Sequence, residues 1–191
     1  GFQTLSLDLR GHGKSTPKET LAEADYLAMP ADVKAGVGWL KKQGVKSITI
    51  VGAELGAIAG LTAAAETSSV SNIMLLSPHL SSHGLKVSTS LLESYGARPV
   101  FMAAGIDDAK SVKAASLMET KFKGNSKVEI VVDGGEGVEM LNRSPSFERL
   151  VISWLNQAGD MKPEDKLAGE ERLQSGELEE IKTTGTSFYD R

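Results

Sequence analysis

Glu54 stands at the centre of the stretch Ile48–Leu61, ITIVGAELGAIAGL, bracketed by Gly52 and Gly56. A β-branched apolar run passes through that bracket into an alanine-rich one, the pattern of a buried strand turning sharply into a helix. A carboxylate on such a turn can serve as a nucleophile, hold a cation, or do neither. Two more carboxylates follow apolar runs, Asp108 in RPVFMAAGIDDAKS and Glu136 in VVDGGEGVEML. Of the three histidines, His12 lies in an Arg-Gly-His-Gly turn and reads as structural. His79 follows the end of an apolar run and is a candidate base, and His83 reads as an exposed loop residue. LDLRGHGKST ends in Gly13-Lys14-Ser15 like a phosphate-binding loop, but Asp8 occupies the position of that motif's first glycine, where its charge would repel phosphate. Zero cysteines exclude disulfides, thiolate metal sites and a thiol nucleophile.

The elements that must position these groups are legible as alternating runs. Gln3–Leu7, Ser47–Val51, Asn72–Leu76, Val100–Ala104 and Val128–Val132 are short and nearly continuously apolar, as strands buried on both faces are. Between and after them, Asp32–Lys42, Leu55–Glu66, Ala109–Phe122 and Pro145–Gln157 carry helical periodicity, the last opening on a serine-proline helix start. Strand and helix alternate, so the expected class is α/β with a mostly parallel sheet and helices on both faces. In such sheets function gathers at the carboxyl ends of the strands, which is where Glu54, His79, Asp108 and Glu136 fall.

Taken in chain order, these segments resemble the α/β-hydrolase superfamily, closest to its small dienelactone-hydrolase-like and serine-esterase members, over roughly residues 1–157. GFQTLSLDLRGHGKS looks like the strand and turn preceding the nucleophile, VGAELGA like the G-x-S-x-G nucleophile elbow, and LLSPHL like the next strand end. RPVFMAAGIDDAKS resembles the strand presenting the triad acid, with Gly105 and Asp108 at the usual spacing, and VVDGGEGVEML the glycine-flanked histidine loop. The resemblance then implies that Glu54 replaces the serine, Glu136 replaces the histidine, and Asp108 survives as orienter. Gly52 and Gly56 would be kept for packing at the elbow, and the amide of Leu55 as a remnant of the oxyanion hole.

The implied chemistry is mostly a loss. Ester hydrolysis on this fold needs a nucleophile, a base in hydrogen-bond reach, an orienter and oxyanion donors. Aspartate serves as nucleophile in the dehalogenase and epoxide-hydrolase branches, which still need a histidine to hydrolyse the covalent intermediate. The expectation is therefore a catalytically inactive hydrolase-like protein kept as a structural or interaction subunit. Two alternatives stand beside it: an active hydrolase with a rearranged carboxylate site in which His79 is the base, and a small-ligand or divalent-cation binder with Glu54, Asp108 and Glu136 converging. No cofactor is expected.

Composition bounds the partners. At 191 residues, with a formal net charge of −4, the chain suits one domain with an appendage and offers no basic field to nucleic acid. No apolar run reaches the ~18 residues that cross a bilayer. Asn156–Arg191 carries nine acidic and five basic residues, and so the whole net charge. With few large apolar side chains, residues 158–191 read as an acidic extension, disordered or an arm docking on a protein partner. In the family's sheet a further strand separates TLSLDL from ITIVGA and leads into the loop supplying half the oxyanion hole. The resemblance implies that this strand comes from upstream in a longer protein or from a partner segment.

Overall fold

A strand exists only where a neighbour completes its hydrogen bonds, and four of the five apolar runs find one. The computed structural model describes residues 2–15 and 18–160, the last three by backbone alone. In chain order they form α1 (Glu23–Leu27), α2 (Met29–Lys42), β1 (Thr49–Ala53), α3 (Leu55–Ala65) and β2 (Asn72–Leu76). A two-stranded hairpin follows, β3 (Ser81–Ser82) and β4 (Leu85–Lys86), then α4 (Thr89–Tyr95), β5 (Val100–Gly105) and α5 (Ala109–Glu119). The described part ends with β6 (Ser126–Val131), α6 (Glu139–Arg143) and α7 (Pro145–Asp160). The main sheet is parallel throughout in the order β1-β2-β5-β6.

Side-chain alternation along the two central strands builds two cores. Ile73, Leu75, Val100 and Met102 face one side, where Ala57, Leu61 and Ala64 of α3, Tyr95 of α4 and Ala115 and Met118 of α5 cover them. Met74, Leu76, Phe101 and Ala103 face the other, against Met140 of α6 and Phe147 and Val151 of α7. Every residue of β2 and β5 is buried, which accounts for their unbroken apolar runs. Helices thus cover both faces, as the alternating pattern predicts.

The run Gln3–Leu7 departs from expectation. Residues 2–9 form no ladder among the described residues, and Phe2, Leu5 and Leu7 are exposed. Among the described residues β1 pairs with β2 alone and lies at the edge of this sheet, and Val51 on it is half exposed. Apolar patterning reports a tendency to be buried and says nothing of whether a partner lies within hydrogen-bond reach. Residues 2–9 are instead placed by their sequel. The Arg10 side chain forks onto Asp32 of α2 through Nε (2.9 Å) and Nη2 (2.5 Å), and its amide adds a third bond to the same carboxylate at 3.0 Å. That fork holds the Asp32 carboxyl below its usual range. Asp8 accepts the Lys14 amide at 2.9 Å and closes the glycine-rich turn on itself, and among the described residues the next helix, α1, begins only at Glu23.

Boundaries moved in ways local chemistry explains. α2 begins three residues earlier than the periodicity suggests, because Pro30 near its N-terminus needs no amide partner. α7 continues past Gln157 to Asp160. α1, α4, α6 and the hairpin, at two to seven residues per element, are shorter than the stretch over which a periodicity can be read in sequence. Arg98, just before β5, ties the first core together by donating to the carbonyls of Ala64, Thr67, Val70 and Tyr95 at 2.8–3.0 Å, which includes the end of α3. No helix among the described residues is long and apolar enough to cross a membrane. The expected docking arm lies, beyond the end of α7, outside the described residues.

Candidate active site

The turn from β1 into α3 sets the geometry of everything around it. Glu54 continues the ladder by donating its amide to the Leu76 carbonyl at 2.9 Å, and its own carbonyl accepts the Ala57 amide at 3.1 Å as the helix begins. To turn that sharply, Glu54 takes φ 48° and ψ −112°, outside the regions open to residues with a Cβ. Such a conformation costs on the order of 1–3 kcal/mol and persists only when its surroundings impose it. Gly52 is the imposing neighbour, since a Cβ there would collide with the Gly56 carbonyl and lie 2.9 Å from the Ala57 Cα. Gly56 does not share this role: a Cβ there meets nothing within 4 Å. The expectation that both glycines are required for packing is thus corrected for Gly56. Leu55 opens α3, and its amide is among those the helix leaves without an internal acceptor.

Asp108 is buried at the carboxyl end of β5, where it caps α5 by accepting the Ser111 amide at 3.1 Å. Burial alone would push its carboxyl up, but the hydroxyl and amide of Ser111, the Ser77 hydroxyl and the charge of His79 together pull it below the usual carboxylate range. Neither hydroxyl closes a well-formed hydrogen bond to its Oδ2. Ser77 escaped the sequence reading. It is fully buried at φ 44°, one residue past β2, and its Oγ accepts the Gly137 amide at 2.8 Å. A lone serine ending a wholly apolar strand, in LLSPHL, was the available signal. Ser77 therefore links the loop after β2 to the loop after β6, beside the acid.

The three acids do not converge. Glu136 is exposed, and Glu54 reaches instead toward its neighbour Gly137, where an added Cβ would lie 3.0 Å from Glu54 Oε2. Among the described residues no three histidine or carboxylate side chains gather closely enough to hold a metal ion, so the cation-binding cluster of Glu54, Asp108 and Glu136 is not formed. The physical reason is Asp108's engagement with α5, which turns it inward while the two glutamates face solvent.

A cleft of about 480 Å³ opens over the elbow, between Leu7–Leu9, the turn at Glu54 and His79 with His83. His79 is half-buried, lines this cleft and is near enough to Asp108 for its charge to act there. His83 is an exposed hairpin residue, as expected. Its ring stacks on Tyr26 at 4.1 Å, and Nδ1 pairs with the Ser82 hydroxyl at 2.8 Å. His12 Nδ1 sits 3.1 Å from its own turn's Arg10 carbonyl.

A sequence model of the α/β-hydrolase fold matches residues 1–90. Solved hydrolases superpose on most of the described part. An esterase from Pyrococcus furiosus gives a TM-score of 0.63 at 19% identity, covering 78% of this chain and 67% of its own. The fold is the α/β-hydrolase fold. A dienelactone hydrolase from Anabaena variabilis is similar at TM-score 0.57 and 16% identity over 70% of this chain. A lipase-esterase related protein from Clostridium acetobutylicum is similar at 0.61 and 14% over 78%. This chain spans 61% of the dienelactone hydrolase and 81% of the Clostridium protein. It matches no curated protein sequence.

Two outcomes test this geometry. Glu54→Gly, which removes the steric cost of φ 48°, should raise unfolding stability by about 1 kcal/mol in urea titration. An equal or lower stability would mean that the Glu54 side chain is held by contacts worth more than the strain. For Asp108, a folded-state pKa below the unfolded one means its stabilising contribution is full above the ordinary carboxylate range and is lost as pH falls through the lower folded value. Asp108→Asn keeps an acceptor for the Ser111 amide. It should cost about 1 kcal/mol at neutral pH and flatten the decline of the urea midpoint below about pH 4; a decline as steep as the unsubstituted protein's would contradict this.

Proposed function

We propose that this chain is a catalytically silent α/β-hydrolase-fold protein that acts as a structural or interaction subunit. The observation that carries the reading is the occupant of the elbow. Glu54 holds the strained torsion angles of a residue presented at a strand-to-helix turn, yet no imidazole stands at the loop after β6, where Glu136 faces solvent. In serine hydrolases, loss of triad members costs on the order of 10⁴–10⁶ in rate, and here two of three positions carry a different chemistry. Asp108, the surviving member, is engaged in capping α5 and in the Ser77–Ser111 cluster, so its retention needs no catalytic explanation.

An interaction role is supported by exposed apolar side chains in two places. Leu5 and Leu7 before the glycine-rich turn and Val51 on β1 are exposed among the described residues, and Ile106, Val132 and Val138 are all more than half exposed in the loops at the carboxyl end of the sheet. The acidic extension 158–191 is part of the same proposal, as the segment that docks.

One observation favours a second reading, an active hydrolase with a rearranged site. His79 lines the cleft with Glu54 and lies near enough to Asp108 to act on its carboxyl, so a Glu54 nucleophile with His79 as base and Asp108 as its orienter would use groups already near one another. Short-chain p-nitrophenyl esters separate the two. The silent reading expects hydrolysis no faster than that of the Glu54→Ala variant, and turnover abolished in both Glu54→Ala and His79→Ala would establish the rearranged site instead. The subunit role expects the full chain, isolated from its native host at low salt, to elute in gel filtration within an assembly larger than itself, and elution at the size of a monomer would remove it.

A further inference from the structure

The cleft over the elbow has a charge pattern that no hydrolytic role requires. Its floor carries the Glu54 carboxylate, which makes no hydrogen bond or ion pair among the described residues, and its wall carries Asp8, whose Oδ2 accepts the Lys14 amide and whose Oδ1 is left without a hydrogen bond. No lysine or arginine is among the described residues that line it. Leu7, Leu9, Ala53 and Leu55 supply its apolar surface, and His12, His79, Ser82 and His83 its other polar groups, so Glu54 and Asp8 are the only carboxylates among the described lining residues. Free amides at the start of α3 would ordinarily favour an anion in such a place. Here Glu54, covalently fixed at the same helix start, supplies that negative charge itself and leaves the cleft open to the opposite sign.

We propose that this cleft binds a small organic cation, a protonated amine on an apolar body, with the ammonium on the Glu54 carboxylate and the apolar part against Leu7, Leu9 and Leu55. A volume near 480 Å³ accommodates a ligand of one ring or a short alkyl chain. The half-open walls leave the ammonium partly hydrated, so the expected affinity is weak and selective by charge. No three potential metal ligands gather among the described residues, whereas an ammonium needs only one carboxylate and a low-dielectric flank. The proposal rests on the reading above only in treating Glu54 as a group that binds without reacting. Ester turnover lost in Glu54→Ala would overturn that reading and leave the amine titration to stand or fall separately.

The test compares benzylamine, benzyl alcohol and benzoate, three ligands of one shape and different charge, by amide NMR titration of the full chain. Benzylamine should shift the Leu55 and Gly56 amides saturably with a Kd about fivefold lower than that of benzyl alcohol, and benzoate should leave them in place. Glu54→Gln should reduce benzylamine affinity to that of the alcohol while its spectrum keeps native dispersion. Equal affinities for amine and alcohol, a preference for benzoate, or unchanged amine binding in Glu54→Gln would each overturn the proposal. Should the variant fail to fold, the three-ligand comparison on the unsubstituted chain decides alone.

Discussion

The contact on which the rest of the site depends is the approach of α3 to β1. With a hydrogen atom at Gly52 in place of a Cβ, the first turn of α3 lies against the strand, and Gly60 repeats the fit one level on, where a Cβ would come within 2.9 Å of the Ile50 side chain. That closeness buries Ala57, Leu61 and Ala64 on the sheet. It leaves the chain only one residue in which to reverse direction, and that residue is Glu54. The strain at position 54 is thus a consequence of core packing. It persists whatever side chain stands there, because the burial of an alanine-rich helix is worth far more than the 1–3 kcal/mol a disfavoured conformation costs.

The same separation of framework from chemistry holds at the other two positions. Asp108 caps α5 and lies in a buried cluster with Ser77 and Ser111, and Ser77 in turn receives the Gly137 amide. These bonds join the loops after β2, β5 and β6 into one unit whether or not a histidine follows Gly135. Glu136 takes part in none of them. Exchanging the residue there changes what the loop after β6 presents to solvent and leaves the loop's anchoring alone, whereas Asp108 is tied into the fold. On the proposed reading of positions 54 and 136, a stability role for Asp108 accounts for an acid being kept there.

Much of this was legible in sequence, for reasons that differ by element. β2 and β5 could be read almost to the residue because burial on both faces leaves an unbroken apolar run, and α3 because its alanines and glycines pack where larger side chains cannot. Glu54 was legible as a turn from its flanking glycines, although Gly56 proved dispensable for space. What escaped were properties that belong to pairs of residues distant in the chain. The ladder that Gln3–Leu7 lacks, the bond from Ser77 to Gly137, and the hold of Arg98 on four carbonyls depend on which surfaces meet, and no local pattern encodes that. The convergence of three carboxylates failed for a related reason: position at a strand end fixes where a Cα lies, while the direction of the side chain is set by the partner it finds.

That distinction bears on how the cleft can be used. A group fixed by the backbone, as Glu54 is by its torsion angles, presents its charge at a defined place without any organised partner. Catalysis needs more, since nucleophile, base and orienter must hold mutual geometry to within a fraction of an ångström. Recognition of a charge of opposite sign needs only that the carboxylate be available and its flank poorly hydrated. On the proposed reading, in which Glu54 and Glu136 stand for a lost nucleophile and base, the demanding function of the site goes and the tolerant one stays. A fold that keeps its elbow for packing reasons keeps with it, for the strain of a Cβ at φ 48° alone, a carboxylate lining a cleft.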